Sequence, residues 1–200
     1  MVLSLQEIIT ECRENSAVFQ KHLYRQDFSL FMNICMRYAD NREDAEEMLQ
    51  NGFLKIFTNI GQYEGAGSFE GWMKRILVNV ALDHYRYKKN TFHRNVIHLQ
   101  HTEKTDERMM DDAMYGSGMY DESLYEGRWS KEDLQTMLHQ LPPVTKQIFN
   151  LYVFEEYTHK EIGALMNMAE RTSQFHLAQA RKILTEELEK KTQLIKLKRV

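Results

Sequence analysis

Apolar residues recur along the first half of the chain at the spacing of a helix face. Phe31, Ile34, Cys35 and Tyr38 fall at i, i+3, i+4 and i+7. Ala45, Met48, Leu49, Phe53, Ile56, Phe57 and Ile60 continue that spacing on a second segment, so two packed helices are predicted. Asn41 offers the second helix a side-chain oxygen for its first free N–H groups. Asp44 and Glu46 sit in its first turn, near the positive end of the helix dipole. Gly61, Gly65 and Gly67 then punctuate a loop. Ser68 caps a third helix, whose buried stripe is predicted to run through Trp72, Ile76 and Val80.

From about Asn90 to Gly127 the periodicity gives way to a polar stretch that includes MMDDAMYGSGMYDESLYEG, too poor in core-forming residues to fold by itself. Order returns at Ser130, where Ser130 and Asp133 form a capping-box-like start and Leu134, Met137, Leu138 and Leu141 a stripe. Pro142 and Pro143 end that helix and open the next, with Ile148, Leu151 and Tyr152 inward. The expected fold class is therefore all-α: two small helical domains, 1–90 and 130–190, joined by a flexible acidic linker, 91–129, with a basic tail, 191–200.

The stretch THKEIGALMNMAERTSQFHLAQARKIL carries the most information. Thr158 and Glu161 form a capping box, Ile162, Leu165 and Met166 face inward, and Asn167 stands where a tight turn needs a left-handed residue. Beyond it Ser173, Leu177, Ala180 and Leu184 share one face. Arg171, Gln174, Phe175, Ala178, Gln179 and Lys182 are left pointing outward, a set suited to base edges and phosphates. Helix, short turn and second helix read as a helix-turn-helix. The alternative is a pair of amphipathic helices packed in a bundle with their polar faces solvated.

Composition and charge narrow the function. The 200 residues include two prolines and nine glycines, and the net charge of −3 argues against an indiscriminate nucleic-acid binder. Sign is segregated, however. Trp72 to Arg94 carries six basic residues against one acidic, Glu103 to Asp133 ten acidic against four basic, and the part after Thr158 nine basic against five acidic. Two basic zones flanking an acidic middle suit a protein that touches a polyanion at two places. Cys12 and Cys35 form no CxxC pair, so neither a disulfide framework nor a thiolate metal site is indicated. The N-terminus lacks the basic leader and apolar run of a signal peptide, and no stretch of about 18 apolar residues occurs. A cytoplasmic location without membrane insertion is expected.

The chain resembles the extracytoplasmic-function (ECF) group of the sigma-70 family in three stretches in the right order. DNREDAEEMLQNGFLKIFTNI is similar to the family's region 2.2, GSFEGWMKRILVNVALDHYRYKK to regions 2.3 to 2.4, and LPPVTKQIFNLYVFEEYTHKEIGALMNMAERTSQFHLAQARKIL to region 4. The resemblance implies a non-enzymatic subunit that directs core RNA polymerase to promoters. Its region 2.2 helix would dock on the clamp helices of the largest polymerase subunit, with Asp44, Glu47, Gln50 and Asn51 as contacts. The loop from Gln62 to Ser68 would capture a flipped base of the minus-10 element, with Tyr63 stacking. Asn79, Asp83 and Arg86 would face the promoter, and Lys74, Arg75, Lys88 and Lys89 would hold phosphates. Region 4 would bind the polymerase flap and read the minus-35 element through Arg171, Thr172, Gln174, Phe175, Gln179 and Lys182. An anti-sigma factor is a further implied partner, and the linker would thread toward the RNA exit path.

The chain departs from the family pattern in region 4. Ser173 stands where valine is usual, Asn167 where glycine is usual and Ala169 where a capping serine is usual, while Gln174, His176 and Gln179 replace commonly basic residues. Fewer cations imply weaker backbone attraction and an unusual minus-35 preference. Two rivals remain: a helix-turn-helix regulator that binds its operator without polymerase, and a purely structural or protein-interaction bundle. His93, His98 and His101 lack a fourth ligand or defined helix spacing and read as solvated linker residues, so no metal is expected. No Gly-rich phosphate loop, nucleophile elbow or paired-carboxylate arrangement points to a catalytic residue or cofactor.

Overall fold

In the computed structural model the backbone is described for residues 4–96 and 130–197, and side chains for 4–88, 130 and 133–192. The chain divides into two compact units, Met1–Leu99 and Gln100–Val200. Every regular element among the described residues is helical.

The first unit is built from α1 (Leu5–Arg13), α2 (Ala17–Tyr38), α3 (Arg42–Asn59) and α4 (Phe69–Val96), with a 3₁₀ turn at Ile60–Gln62. The stripes of α2 and α3 meet as the spacing predicts: Phe31, Ile34, Cys35 and Tyr38 are buried with Ala45, Met48, Leu49, Phe53 and Ile56. Tyr24 and Phe31 pack on Phe53 at centroid distances of 4.7 and 5.7 Å. Gly52 is buried where α3 meets α4, and a Cβ there would lie 2.6 Å from Cδ2 of Leu77. A larger residue would force these helices apart.

On α4 the structure shifts the predicted stripe. Phe69, Met73, Leu77, Val80 and Ala81 are buried, whereas Trp72 and Ile76 are half-buried. The cause is local: Trp72 stacks on Phe69 at 5.6 Å and lies 5.7 Å from Tyr63, so it closes the adjoining loop rather than entering the core. The helix also runs through Val96, past the expected domain end at 90. No Gly or Pro occurs from 72 to 115 to stop it. The acidic stretch 97–129 lies outside the described residues.

The unpredicted element is α1. Ser4 and Glu7 make a full capping box, and Ile8, Ile9 and Cys12 are buried on one face.

The second unit comprises α5 (Lys131–His139), α6 (Pro143–Phe149) continued by a π-helical turn at Asn150–Phe154, α7 (His159–Met166) and α8 (Glu170–Leu197). Leu138, Leu141 and Ala180 form a buried cluster joined by Phe149, Ile183 and Leu184. Leu134 is 49% exposed, contrary to the predicted stripe, because it lies one turn short of that cluster. Asp133 accepts from Lys191 at 2.8 Å and so ties the start of α5 to the far part of α8. That ammonium and the Ser130 cap hold the Asp133 carboxyl below its ordinary value.

Candidate DNA and polymerase interface

The exposed face of α3 begins with its cap. Asn41 Oδ1 accepts from the Asp44 N–H at 2.8 Å, as its residue type predicts. Further along, Glu47, Gln50 and Asn51 are exposed on adjoining turns. Leu54 continues that face at 64% exposure. Sequence reasoning passed over Leu54, although its spacing from Glu47 and Asn51 put it there.

Asp44 does not belong with them. Its side chain is only 15% exposed, and its Oδ2 accepts from Lys88 Nζ at 2.5 Å. Lys88 also reaches Asp40 at 3.3 Å. His84 Nε2 stands 3.6 Å from Asp44 Oδ1, too far for a hydrogen bond and an attraction only when the imidazole is charged. Burial alone would lower the Lys88 pKa, but its bonds to Asp44 and Asp40 outweigh that and raise it. Two residues assigned to different ligands, Asp44 to polymerase and Lys88 to phosphate, thus bond to each other and join α3 to α4.

The loop between α3 and α4 is held from three sides. Gly65 and Gly67 have φ of +83° and +81°, a region costly for other residues. Tyr63 OH donates to Gly67 O at 2.8 Å while its ring packs 5.0 Å from Phe69. The third support comes from α1: Arg13 donates through Nη2 to Tyr63 O at 2.5 Å and through Nε to Ile60 O at 3.4 Å. Tyr63, expected to stack on a base, is therefore engaged within the loop, and Arg13 is a supporting residue the sequence did not single out.

Beyond the loop, Ser68 Oγ accepts from the Gly71 N–H at 3.0 Å and starts α4. Arg75, Asn79, Asp83 and Arg86 follow at helical spacing and are all exposed, with Tyr87, 71% exposed, continuing the row. Asp83 sits between Arg86 at 2.8 Å and Lys55 of α3 at 3.3 Å. Lys74 pairs with Glu70 at 2.7 Å. Exposed pairs of this kind contribute about 0–1 kcal/mol, little enough for a phosphate to displace them. The side chain of Lys89 lies outside the described residues.

In the second unit, Thr158 and Glu161 make a reciprocal capping box at the start of α7, and Asn167 ends it with φ 53°. The Asn167 and Met168 N–H groups both donate to Gly163 O, the latter at 3.0 Å. Gly163 is needed for this closeness, since a Cβ there would lie 2.8 Å from Met168 O. α8 then places Ser173, Leu177 and Ala180 inward. Arg171, Phe175, Ala178 and Lys182 are exposed along it, while Thr172, Gln174 and Gln179 are half-buried.

Polar groups fasten the inner face of α8. Ser173 is fully buried, and its Oγ lies 2.9 Å from Nδ1 of His159, whose ring stacks on Tyr152 at 4.5 Å. On the next turn Thr145 Oγ1, also fully buried, donates to Gln179 Oε1 at 3.1 Å and lies 3.0 Å from His176 Nδ1. Both contacts meet at the one Thr145 hydroxyl, which gathers His176 and Gln179 into a single polar cluster against α6. Burial holds both imidazoles below their ordinary 6.5. Gln179, read as a base contact, is thereby drawn toward α6.

Among the described residues no cluster of His, Cys, Asp or Glu could hold a metal ion, and no helix is long and apolar enough to cross a membrane. His98 and His101, and the side chain of His93, lie outside the described residues.

These features define a helical protein of two units, one ending in a basic helix and the other carrying a helix-turn-helix. Residues 23–91 match the family model for Sigma-70 region 2 and residues 131–184 that for Sigma-70 region 4, together more than half of the chain. The chain belongs to the sigma-70 family, in its ECF group. It is similar to the ECF RNA polymerase sigma factor SigE of Mycolicibacterium smegmatis, with 27% identity over 84% of this chain and 61% of that protein, so it spans less than two thirds of that relative. It is also similar to the ECF RNA polymerase sigma factor SigW of Bacillus subtilis, with 23% identity over 78% of this chain and 81% of the other. Among solved structures, the sigma factor RpoE in complex with the anti-sigma factor NepR from Bartonella quintana shares the fold, with TM-score 0.52, 16% identity and coverage of 84% and 96%.

Proposed function

We propose that the chain is a non-enzymatic ECF sigma factor, acting in the cytoplasm, that binds core RNA polymerase and directs it to promoters by recognising minus-10 and minus-35 elements. The observation that carries this reading is the presence on one chain of a helix-turn-helix and, separately, of a braced loop running into an exposed row of α4. A regulator that works without polymerase needs only the first.

In this reading Glu47, Gln50, Asn51 and Leu54 form the polymerase-facing surface of α3, and Asp44 supports it from within through Lys88. The loop at 62–68 receives an unstacked base, whose few kcal/mol of unstacking are offset by contacts with the loop. Arg75, Asn79, Asp83 and Arg86 line the minus-10 DNA, with Lys74 and Lys89 on phosphates. Arg171, Thr172, Gln174, Phe175 and Lys182 face the minus-35 element, with Gln179 at the edge of that surface, and the second unit also meets the polymerase flap. An anti-sigma factor is the expected regulator, in keeping with the complex in which the structurally similar RpoE occurs.

The test is DNA protection by the full chain with and without core polymerase. Protection of two spaced upstream elements only when polymerase is present supports the proposal. Protection of one site by the chain alone would establish the stand-alone regulator instead.

A further inference from the structure

The polar side chains of His176 and Gln179, at the turn after Phe175, are held toward α6. His176 and Gln179 are both bonded to Thr145, a buried residue of α6. The exposed outer row is Arg171, Phe175, Ala178 and Lys182, at successive spacings of four, three and four residues. Phe175 is 47% exposed, and its ring makes an edge contact with His176 at 5.6 Å. Along the helix that follows Glu170, no acidic residue occurs from 171 to 185, while Arg171, Arg181 and Lys182 do. The centre of the row is thus apolar and its ends are positive.

A polyanion matches the ends of such a row. In the major groove the one apolar group at a base edge is the 5-methyl of thymine, and phenylalanine and alanine are side chains that contact it. We propose that Phe175, helped by Ala178, reads a thymine methyl in the minus-35 element, and that Arg171 and Lys182 fix the register on the flanking phosphates. Sequence at this element is then selected by apolar contact at the turn where His176 and Gln179 face inward. The inference rests on the reading that α8 enters promoter DNA.

The experiment uses holoenzyme assembled from the full chain and core polymerase. Duplexes are first selected from a library randomised across the upstream element, and each thymine of the selected element is then replaced by deoxyuridine, which removes the methyl and keeps the base pair. One position is expected to lose about three- to fivefold in affinity, the value of one methyl taken out of water. Phe175→Ala should lose the same factor on the thymine duplex and show no further loss on the deoxyuridine one. Phe175→Leu, which keeps an apolar side chain, should retain part of the discrimination and guards against a variant that merely misfolds. A selected element whose deoxyuridine forms all bind as well as the parent, or whose methyl dependence survives in Phe175→Ala, overturns the inference and leaves the sigma-factor reading standing. Failure of the holoenzyme to select any upstream element would overturn both.

Discussion

Replacing Gly163 by alanine tests whether the turn between α7 and α8 is as close as it looks. The added Cβ would sit 2.8 Å from Met168 O and 3.5 Å from the Glu170 nitrogen. A relaxed C···O contact is about 3.3–3.6 Å, so the turn must open by about half an ångström. The obstacle is main chain, and the Met168 N–H that would move with it bonds back to Gly163 O at 3.0 Å. Overpacking at such a point costs about 2–3 kcal/mol, toward the upper end of its usual range. Alanine returns about 1 kcal/mol through its better helix propensity. A net loss of about 1–2 kcal/mol should fall on the second unit alone. Amide hydrogen exchange in the full chain resolves the units: protection in α7 and the first turns of α8 should fall about tenfold, with α2 and α3 unchanged. Unchanged or higher protection in α7 would mean that helix propensity dominates and that Gly163 is not there for closeness.

Three further expectations follow from the first unit and the half-buried imidazoles of the second. Gln50→Ala with Leu54→Ser should weaken core-polymerase binding at least tenfold without changing the thermal midpoint, whereas Asp44→Ala should lower the midpoint first by unpairing Lys88; equal binding loss with unchanged stability for Asp44→Ala would restore it to the contact surface. Arg13→Ala should slow promoter opening severalfold on duplex DNA but not on a template already unpaired at the minus-10 element, and an equal defect on both would show that Arg13 does not act through the loop. Because burial depresses the folded-state pKa of His159 and His176 below 6.5, the unfolded chain takes up protons first as pH falls. The second unit should therefore be fully stable above about pH 6.5 and lose stability as pH drops through the lower folded values. His176→Gln should flatten that loss in a denaturant titration; a second unit that gains stability in acid would refute the sign.

Much of this architecture is written in local signals. The boxes at Ser130/Asp133 and Thr158/Glu161, the Asn41 cap and the left-handed Asn167 each specify a helix end through groups three or four residues apart, and a single chain segment is enough to show them. The buried stripes of α2 and α3 were legible for the same reason. What sequence spacing could not show are pairings across the fold. Asp44 and Lys88 are remote in sequence and each has a plausible surface role, so only their contact reveals them as a tie between helices. Thr145, Lys146, Gln147 and Asn150 are polar yet buried in α6 and the turn that continues it, which a hydrophobic pattern reads as the outer face. Ser173 looks like a weak substitute for an apolar residue until His159 is found beside it. Helix α1 carried a readable Ser4/Glu7 box, but with nine residues it is stabilised mainly by what it packs on.

A sigma factor gives core polymerase a promoter specificity. Run-off transcription with purified core enzyme from the native host, on fragmented genomic DNA with the start sites sequenced, reads that specificity out. Start sites should appear only when the chain is added, share two spaced upstream elements, and disappear with Asn79→Ala in the exposed row of α4. Start sites unchanged by the chain, with polymerase showing no affinity for it, would rule out a role in promoter selection.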